Sequence, residues 1–272
     1  MSVNKMGICE WVLPTEGPYS LELAAQLGYD GIQLGDLGGQ GKAFPINNRR
    51  LQEAYLHASQ QHNVELQSLH LYTLVRDGTM KYSLGSPQGD DAILSITKGV
   101  DACRDMNIPI LMLSSFFASQ ILNDVDFINF SELLRYACTY GQDNGVGIVF
   151  ECILHIDKIM KMLDAVKGLR LCYDTLNPIR FGSGDPNEEI LRIGRENIDH
   201  VHVKDAPADL KGCCLLGTGY GGFHKLAGTL KSIGVSGWFI TENYYCLPPM
   251  GKDSNFFELA QADLNTMRQT FA

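Results

Sequence analysis

The sequence predicts a single (β/α)₈ barrel, or TIM barrel, in which residues 1–272 form one domain with an active site at the C-terminal ends of the strands. Three observations favour this fold. The chain has 272 residues, close to the roughly 250 that such a barrel needs. Short apolar, β-prone runs alternate with longer segments of helical periodicity. The alternation continues through eight units, and strict alternation of this kind indicates a parallel sheet.

The candidate strands are short runs rich in apolar and β-branched residues. Strands that helices cover on both faces are expected to be continuously apolar, and most of these runs are. In chain order they are Met6–Cys9, Gly31–Leu34, Glu65–Leu71, Ile110–Ser114, Gly147–Cys152, Arg170–Tyr173, His200–Val203 and Gly237–Thr241.

The candidate helices lie between these runs and carry apolar residues on one face. The first begins at Ser20, a residue type that caps helices well, and ends before Gly28. In order they are Ser20–Leu27, Asn48–His62, Asp90–Met106, Phe130–Gln142, Ile156–Val166, Asn187–Glu196, Phe223–Ile233 and Ser254–Thr270.

A doubly wound open sheet is the structural alternative. Such a sheet usually has about five or six strands and a glycine-rich phosphate-binding turn after the first strand. Here the first candidate strand leads into CEWVLPTEGPYS, which contains no GxGxxG pattern. Eight units in a chain of this length therefore favour the closed barrel.

Composition and charge limit the class of protein. Hydrophobic residues make up 45% of the chain and charged residues 19%, which is ordinary for a soluble domain. The sequence contains no apolar run of the roughly 20 residues that a membrane helix needs. The net charge of −9 disfavours nucleic acid as a partner, because an acidic surface repels the phosphate backbone.

The N-terminus and the cysteines predict a cytoplasmic location. The opening residues, MSVNKMGICEW, lack the charged and apolar regions of a secretory signal. The chain has eight cysteines but no CxxC pair. Without a secretory signal, these thiols are expected to remain reduced.

Polar residues at the C-terminal ends of TIM-barrel strands usually belong to the active site. Four consecutive candidate strands have such a residue at or next to their C-terminal end, namely Glu151, Asp174, His202 and Glu242. Neighbouring strand ends surround one mouth of a barrel, so three carboxylates and one imidazole could converge on a single divalent cation. Mainly oxygen ligands favour Mn²⁺ and suit Mg²⁺ or Co²⁺, while the imidazole keeps Zn²⁺ open.

These residues also have structural interpretations. An acidic residue at a strand end often caps a helix, and Asp174 precedes Thr-Leu-Asn-Pro, which suits the start of a turn. Buried Glu151 and Glu242 would be costly without a partner. The sequence shows no obvious strand-end arginine that could pair with both glutamates, which favours a metal.

Other strand-end residues are candidates for substrate binding. His200 and His202 alternate in HVHV and therefore point to the same side of their strand. One of them could bind a metal while the other supports it or lines the pocket. His70 and Lys204 are candidate substrate contacts, and Trp11 is a candidate apolar wall.

Five segments carry a resemblance to a known family: LAAQLGYDGIQL, GIVFE, LCYDT, HVHVKD and GTGYGGFHKLAGTLKSIGVSGWFITE. Together they resemble the xylose isomerase-like TIM-barrel superfamily, and the resemblance covers nearly the whole chain. This superfamily includes ketose 3-epimerases, hexulose-phosphate epimerases, inosose dehydratases and isomerases, and endonuclease IV.

The resemblance implies that Glu151, Asp174, His202 and Glu242 bind one divalent metal. In the epimerase branch the two glutamates also act as the acid/base pair. The chain departs from the ketose epimerases at Asn177, where they tend to have a histidine, and in KDAPAD, where they carry an arginine after the metal-binding histidine. These departures leave the sugar and the reaction open. Asn177 is also a candidate substrate contact.

The functional hypothesis is a metal-dependent isomerase or epimerase of a sugar, sugar phosphate or inosose. One glutamate removes a proton beside a carbonyl, the metal stabilises the enediolate, and the other glutamate returns a proton. The alternatives are a metal-dependent lyase or dehydratase acting on a keto-sugar or inosose, an endonuclease IV-like phosphodiesterase, and a non-catalytic sugar-binding subunit. The expected partner is a small carbohydrate, with neither nucleic acid nor membrane, and self-association is left open.

Overall fold

The eight predicted strands form a closed parallel barrel, which confirms the (β/α)₈ fold. The structure is a computed structural model and describes residues 4–38, 43–252 and 255–272. Within these residues the strands follow one another around the barrel in chain order, and the last pairs with the first. The strands are β1 (Lys5–Cys9), β2 (Gly31–Gly35), β3 (Glu65–His70), β4 (Ile110–Ser114), β5 (Gly147–Glu151), β6 (Arg170–Asp174), β7 (Ile198–Val203) and β8 (Trp238–Thr241).

Helices separate the strands, as the periodicity predicts. They are α1 (Tyr19–Leu27), α2 (Arg49–His62), α3 (Tyr72–Asp77), α4 (Pro87–Asp105), α5 (Asp124–Asp143), α6 (Ile156–Ala165), α7 (Asn177–Phe181), α8 (Pro186–Ile193), α9 (Phe223–Ser232) and α10 (Phe256–Phe271). The short helices α3 and α7 were not predicted. The described part of the chain has no helix that is both long and apolar enough to cross a membrane.

The predicted start of the fourth candidate helix at Phe130 was wrong, because the corresponding helix α5 begins six residues earlier, at Asp124. The side chain of Asn123 accepts a hydrogen bond from the backbone N–H of Asp126 and so caps the helix. The predicted start of the last helix, Ser254, lies outside the described residues.

Contacts group the chain into two compact units. The first comprises the chain up to Gln33, Ala58–Glu65 and Cys172–Ala272, and the second comprises Leu34–His57 and Leu66–Leu171. Three of the boundaries fall inside strands, after Gln33 in β2, after Glu65 in β3 and after Leu171 in β6, and the fourth falls inside α2, after His57. The prediction of one domain over residues 1–272 stays a prediction.

In the first unit, β1 pairs with both β2 and β8. Gly31 at the start of β2 lies against the indole ring of Trp238. A Cβ atom at position 31 would lie 2.5 Å from that ring and 2.9 Å from the carbonyl oxygen of Glu65. These distances are shorter than van der Waals contact, so the strand needs glycine here.

In the second unit, β4 and β5 pair along their full length. The register aligns Ile110 with Gly147 and Ser114 with Glu151, so both strands end at the same level. The backbone N–H of Ser115 donates to the carbonyl oxygen of Glu151 and extends the pairing by one residue.

The first unit also contains a buried carboxylate, Asp263 of α10. It accepts hydrogen bonds from the backbone N–H of Leu216 at 2.8 Å, from Asn243 Nδ2 at 2.7 Å and from the hydroxyl of Tyr245 at 3.0 Å. Burial raises the pKa of Asp263 to about 6, although these hydrogen bonds oppose the rise. Asp263 therefore holds the side chain of Asn243, the residue that follows Glu242 in the chain.

We expect Gly31→Ala to lower the free energy of unfolding by about 1–3 kcal/mol, because the added methyl group overpacks the space beside Trp238. Denaturant titration of the purified protein measures the change. The matched control is Gly228→Ala in α9, where a Cβ meets nothing within 4 Å. That variant should equal or exceed wild-type stability by up to about 1 kcal/mol, since alanine is the better helix former. Equal stability of both variants would contradict the packing argument.

We expect a pH-dependent difference in stability between wild type and Asp263→Asn. The pKa of Asp263 is raised to about 6 in the folded protein, so its stabilising contribution is present at low pH and is lost as the pH rises through 6. Relative to Asp263→Asn, wild type should gain about 1 kcal/mol of unfolding free energy between pH 7 and pH 5. Exposed Asp164→Asn is the control and should keep the wild-type pH profile. Parallel profiles for wild type and Asp263→Asn would refute the prediction.

Candidate metal centre

The four predicted metal ligands stand at or beside the C-terminal ends of their strands. Glu151 and Asp174 end β5 and β6, His202 is the penultimate residue of β7, and Glu242 directly follows β8. All four are buried. One possible ligand atom from each residue lies within 4.8 Å of those from the other three. That these residues bind a metal stays a prediction.

Asp174 forms a turn, as its structural interpretation predicts, and also lies in the charged cluster, as its interpretation as a metal ligand requires. Its Oδ1 atom accepts hydrogen bonds from the backbone N–H groups of Leu176 and Asn177, both at 2.8 Å. These bonds form the turn that begins α7. Its Oδ2 atom lies 2.7 Å from Lys204 Nζ. The same carboxylate therefore holds a turn with one oxygen and leaves the other for charged groups.

Glu242 is held by donors on both carboxylate oxygens. Trp11 Nε1 donates to Oε1 at 2.9 Å, and Lys204 Nζ donates to Oε2 at 2.7 Å. Nδ1 of His202 lies 3.3 Å from the same Oε2. Burial opposes ionisation of Glu242, but the Lys204 ammonium and His202 outweigh it and bring its pKa well below the usual range. Glu242 is therefore an ionised carboxylate at neutral pH.

Trp11 is more than the apolar wall that the sequence predicts, because its indole N–H contacts Glu242 directly. Its ring also meets His202 edge-on, with centroids 6.3 Å apart. Lys204 contacts the carboxylates of Asp174 and Glu242, and its Nζ lies 3.5 Å from Asn177 Oδ1. Substrate binding by Trp11, Lys204 and Asn177 stays a prediction.

A buried polar chain lies behind His202 and includes residues that the sequence analysis missed. Gln33 Oε1 lies 2.6 Å from His202 Nε2, and Gln33 Nε2 lies 3.4 Å from His200 Nε2. His200 Nδ1 in turn lies 3.1 Å from Asp199 Oδ1. Gln33 occurs in the apolar run GIQLG, and a polar residue inside a buried strand signals a hydrogen-bonded partner.

Two buried thiols accompany these histidines. Cys9 Sγ lies 3.4 Å from Gln33 Oε1 and 3.8 Å from His202 Nε2. Burial raises the pKa of the Cys9 thiol to about 12, so it stays protonated at neutral pH. Cys172 forms a second group of potential metal ligands with His200 and His202, again with atoms within 4.8 Å of one another.

The ligand types and their charges fit a divalent cation. Three carboxylates and one imidazole are a donor set that suits Mn²⁺, Mg²⁺, Co²⁺ or Zn²⁺. The contacts described for this cluster include a single ammonium group, that of Lys204. Burying carboxylates is costly, and a divalent cation among Glu151, Asp174, His202 and Glu242 would compensate their charge.

Strand-end residues in the first half of the chain have structural contacts. Glu10 accepts hydrogen bonds from the Gly17 backbone N–H and the Ser20 hydroxyl. His70 Nε2 lies 2.8 Å from Ser114 Oγ, and its ring packs edge-on against Tyr72. A substrate contact by His70 stays a prediction.

The comparisons with known proteins agree with the fold. The family model of the xylose isomerase-like TIM barrel matches residues 21–262. The chain is 26% identical over 230 residues to a 2-epi-5-epi-valiolone 7-phosphate 2-epimerase from Actinoplanes sp.. The aligned region covers 84% of this chain and 82% of that protein.

Two solved structures have a similar fold at low sequence identity. The IOLI protein with a binding zinc atom has a TM-score of 0.78 and 16% identity, and the alignment covers 98% of each chain. D-psicose 3-epimerase in the presence of D-fructose has a TM-score of 0.76 and 14% identity, over 98% of this chain and 99% of that one. Since the family model also spans most of the sequence, this chain belongs to the xylose isomerase-like TIM-barrel family.

Proposed function

We propose that this protein is a divalent-metal-dependent epimerase or isomerase of a sugar-like ketone. One observation carries the proposal: Glu151, Asp174, His202 and Glu242 are buried together, with ligand atoms within 4.8 Å of one another. Two of these residues are glutamates, which also suit proton transfer. A site for sugar binding alone would have no need for both.

The residues support a proton-transfer mechanism. A bound divalent cation would polarise the substrate carbonyl and stabilise the negative charge that develops on its oxygen. Glu242 is ionised, so it can remove a proton from the carbon beside the carbonyl. Glu151, in its protonated form, then donates its proton to the opposite face of that carbon, which inverts its configuration. Proton exchange with solvent afterwards returns both glutamates to their starting states. General acid/base catalysis of this kind contributes about 10²–10⁴-fold to the rate.

Lys204 and Trp11 assist Glu242 in this mechanism. Their N–H groups stabilise its charged form, and their two directions of contact fix the orientation of the carboxylate. Lys204 and Asn177, whose side chains lie 3.5 Å apart, are the proposed contacts for substrate oxygens. His200 supports His202 rather than the substrate, because its side chain is fully buried and contacts Asp199 and Gln33.

The relatives support a small polyhydroxy ketone as substrate. The 26% identical protein is named as a 2-epimerase of 2-epi-5-epi-valiolone 7-phosphate, and structures with a similar fold include D-psicose 3-epimerase and L-ribulose 3-epimerase. Each name describes inversion at one carbon of a sugar-like molecule. We therefore propose ketoses, inososes and their phosphates as the substrate class. Mn²⁺ is the favoured metal, and the zinc atom in the IOLI protein makes Zn²⁺ the first competitor to test.

We expect Glu151→Gln and Glu242→Gln each to lower turnover by about 10²–10⁴-fold, because each removes a group that donates or accepts a proton. Turnover is measured on the substrate found by screening ketoses, inososes and their phosphates. The control is Glu53→Gln, an exposed glutamate of α2 that pairs with Arg49, and it should keep wild-type turnover. Full activity in both site variants would refute the mechanism.

The screen is done in D₂O so that it also separates the alternative reactions. An epimerase or isomerase incorporates deuterium at the carbon beside the carbonyl while the substrate keeps all its hydroxyl groups. A dehydratase or lyase instead releases water or a fragment, which mass spectrometry detects as a loss of mass. Abasic-site DNA is included in the panel, and its cleavage would favour the phosphodiesterase alternative.

We expect Mn²⁺ to stabilise chelator-treated wild-type protein against heat. A ligand that binds only the folded state adds about 2.7 kcal/mol at 100 times its Kd. Asp174→Asn should lose this effect because it removes a proposed ligand, while exposed Asp164→Asn should retain it. Melting curves with Mn²⁺, Mg²⁺, Co²⁺ and Zn²⁺ give the measurement. A wild-type melting temperature that none of these ions raises would contradict the metal site.

A further inference from the structure

The hydrogen-bonded chain behind His202 consists of Asp199, His200 and Gln33. Asp199, at its far end, sets the direction in which these hydrogen bonds are donated. The Asp199 carboxylate can only accept a hydrogen bond, so His200 Nδ1, 3.1 Å away, carries a proton. In neutral His200 the other nitrogen, Nε2, then has a lone pair. It can accept a hydrogen bond from the Gln33 amide nitrogen, 3.4 Å away.

The glutamine passes this direction on to His202. With its NH₂ group turned toward His200, the carbonyl oxygen Oε1 of Gln33 lies 2.6 Å from His202 Nε2. An amide oxygen can only accept, so Nε2 of His202 carries the proton. Nδ1, which lies 3.3 Å from Glu242 Oε2, is therefore the ring nitrogen that remains to bind a cation.

We propose that Gln33 is a positioning residue that fixes the tautomer of His202 and so presents Nδ1 to the cation. The inference rests on the proposed metal site. Gln33 suits this role because its amide has a donor at one end and an acceptor at the other. The side chains of Met and Leu offer neither group, and an ionised glutamate offers only acceptors.

The position of Gln33 explains why the imidazole offers the cation one nitrogen. A proton on Nε2 prevents that atom from binding a metal, although Cys172 and His200 lie near His202. The protonated Cys9 thiol also directs its S–H toward Gln33 Oε1, at 3.4 Å. The cation is thereby directed to the side of His202 where Glu242 lies. Partners of this kind behind a metal-binding histidine raise metal affinity by about 10–100-fold.

The test compares Gln33→Met with wild type in two measurements. Competition with a chelator gives the Kd for Mn²⁺, which should be about 10–100-fold weaker in the variant. Correlation spectra of ¹⁵N-histidine in the metal-free protein show which ring nitrogen carries the proton. His202, assigned by the loss of its signals in His202→Gln, should be protonated at Nε2 in wild type and divided between both tautomers in Gln33→Met.

The control is Gln52→Met, which removes a different buried glutamine whose amide donates to the carbonyl oxygen of Ile46. It should leave both the Kd and the tautomer unchanged. A wild-type Kd in Gln33→Met, or an Nε2 of His202 without a proton in wild type, would overturn the inference.

A second variant, Gln33→Glu, keeps an oxygen acceptor for Nε2 and should keep the wild-type tautomer, so it decides the question if Gln33→Met fails to fold. Failure of the wild type to bind any metal would refute the proposed function. The spectra would still decide whether Gln33 sets the tautomer.

Discussion

Burial of several carboxylates in one small volume is the constraint on which the candidate site depends. Removing ionised groups from water is costly unless charge or hydrogen bonds compensate it. Glu242 meets this requirement through Trp11, Lys204 and His202, and the result is a pKa well below the usual range. The proposed divalent cation would compensate carboxylate charge in the same volume. Replacing these carboxylates with hydrophobic side chains would remove the cost of burying charge, but it would also remove the groups proposed to bind the cation and transfer protons.

The supporting residues divide this task between them. Lys204 contacts two carboxylates from one strand end, while Trp11 reaches Glu242 from the segment that follows β1. The backbone around Glu242 is held separately, because Asn243 contacts both Asp263 and the backbone N–H of Asp205. In the proposed mechanism, a misplacement of this carboxylate by about 1 Å would lower the rate by about 10²-fold.

Much of the fold could be predicted from the sequence because its signals are local. Eight apolar runs separated by helical periods indicate a barrel, and the strand ends at Asp174 and His202 can be located without coordinates. The start of α5 was missed because the side chain of Asn123 caps this helix. A cap of this kind involves only a few polar residues, so its signal in the sequence is weak. Gln33 and Cys9 were missed for a different reason. Their importance comes from contacts with His200 and His202, more than 160 residues away along the chain, and local patterns contain no information about such distances.

The loop after β7 is organised by the carboxylate of Asp205, which accepts hydrogen bonds from the backbone N–H groups of Gly217, Gly219 and Gly221. A Cβ atom at position 219 or 221 would come within 2.7 Å of that carboxylate, so the alternate positions of the loop must stay glycine. The intervening side chains are under no such restriction, and that of Tyr220 is largely exposed. Evolution can therefore exchange the residue at 220 and alter what this loop contacts, while the path of its backbone is inherited unchanged.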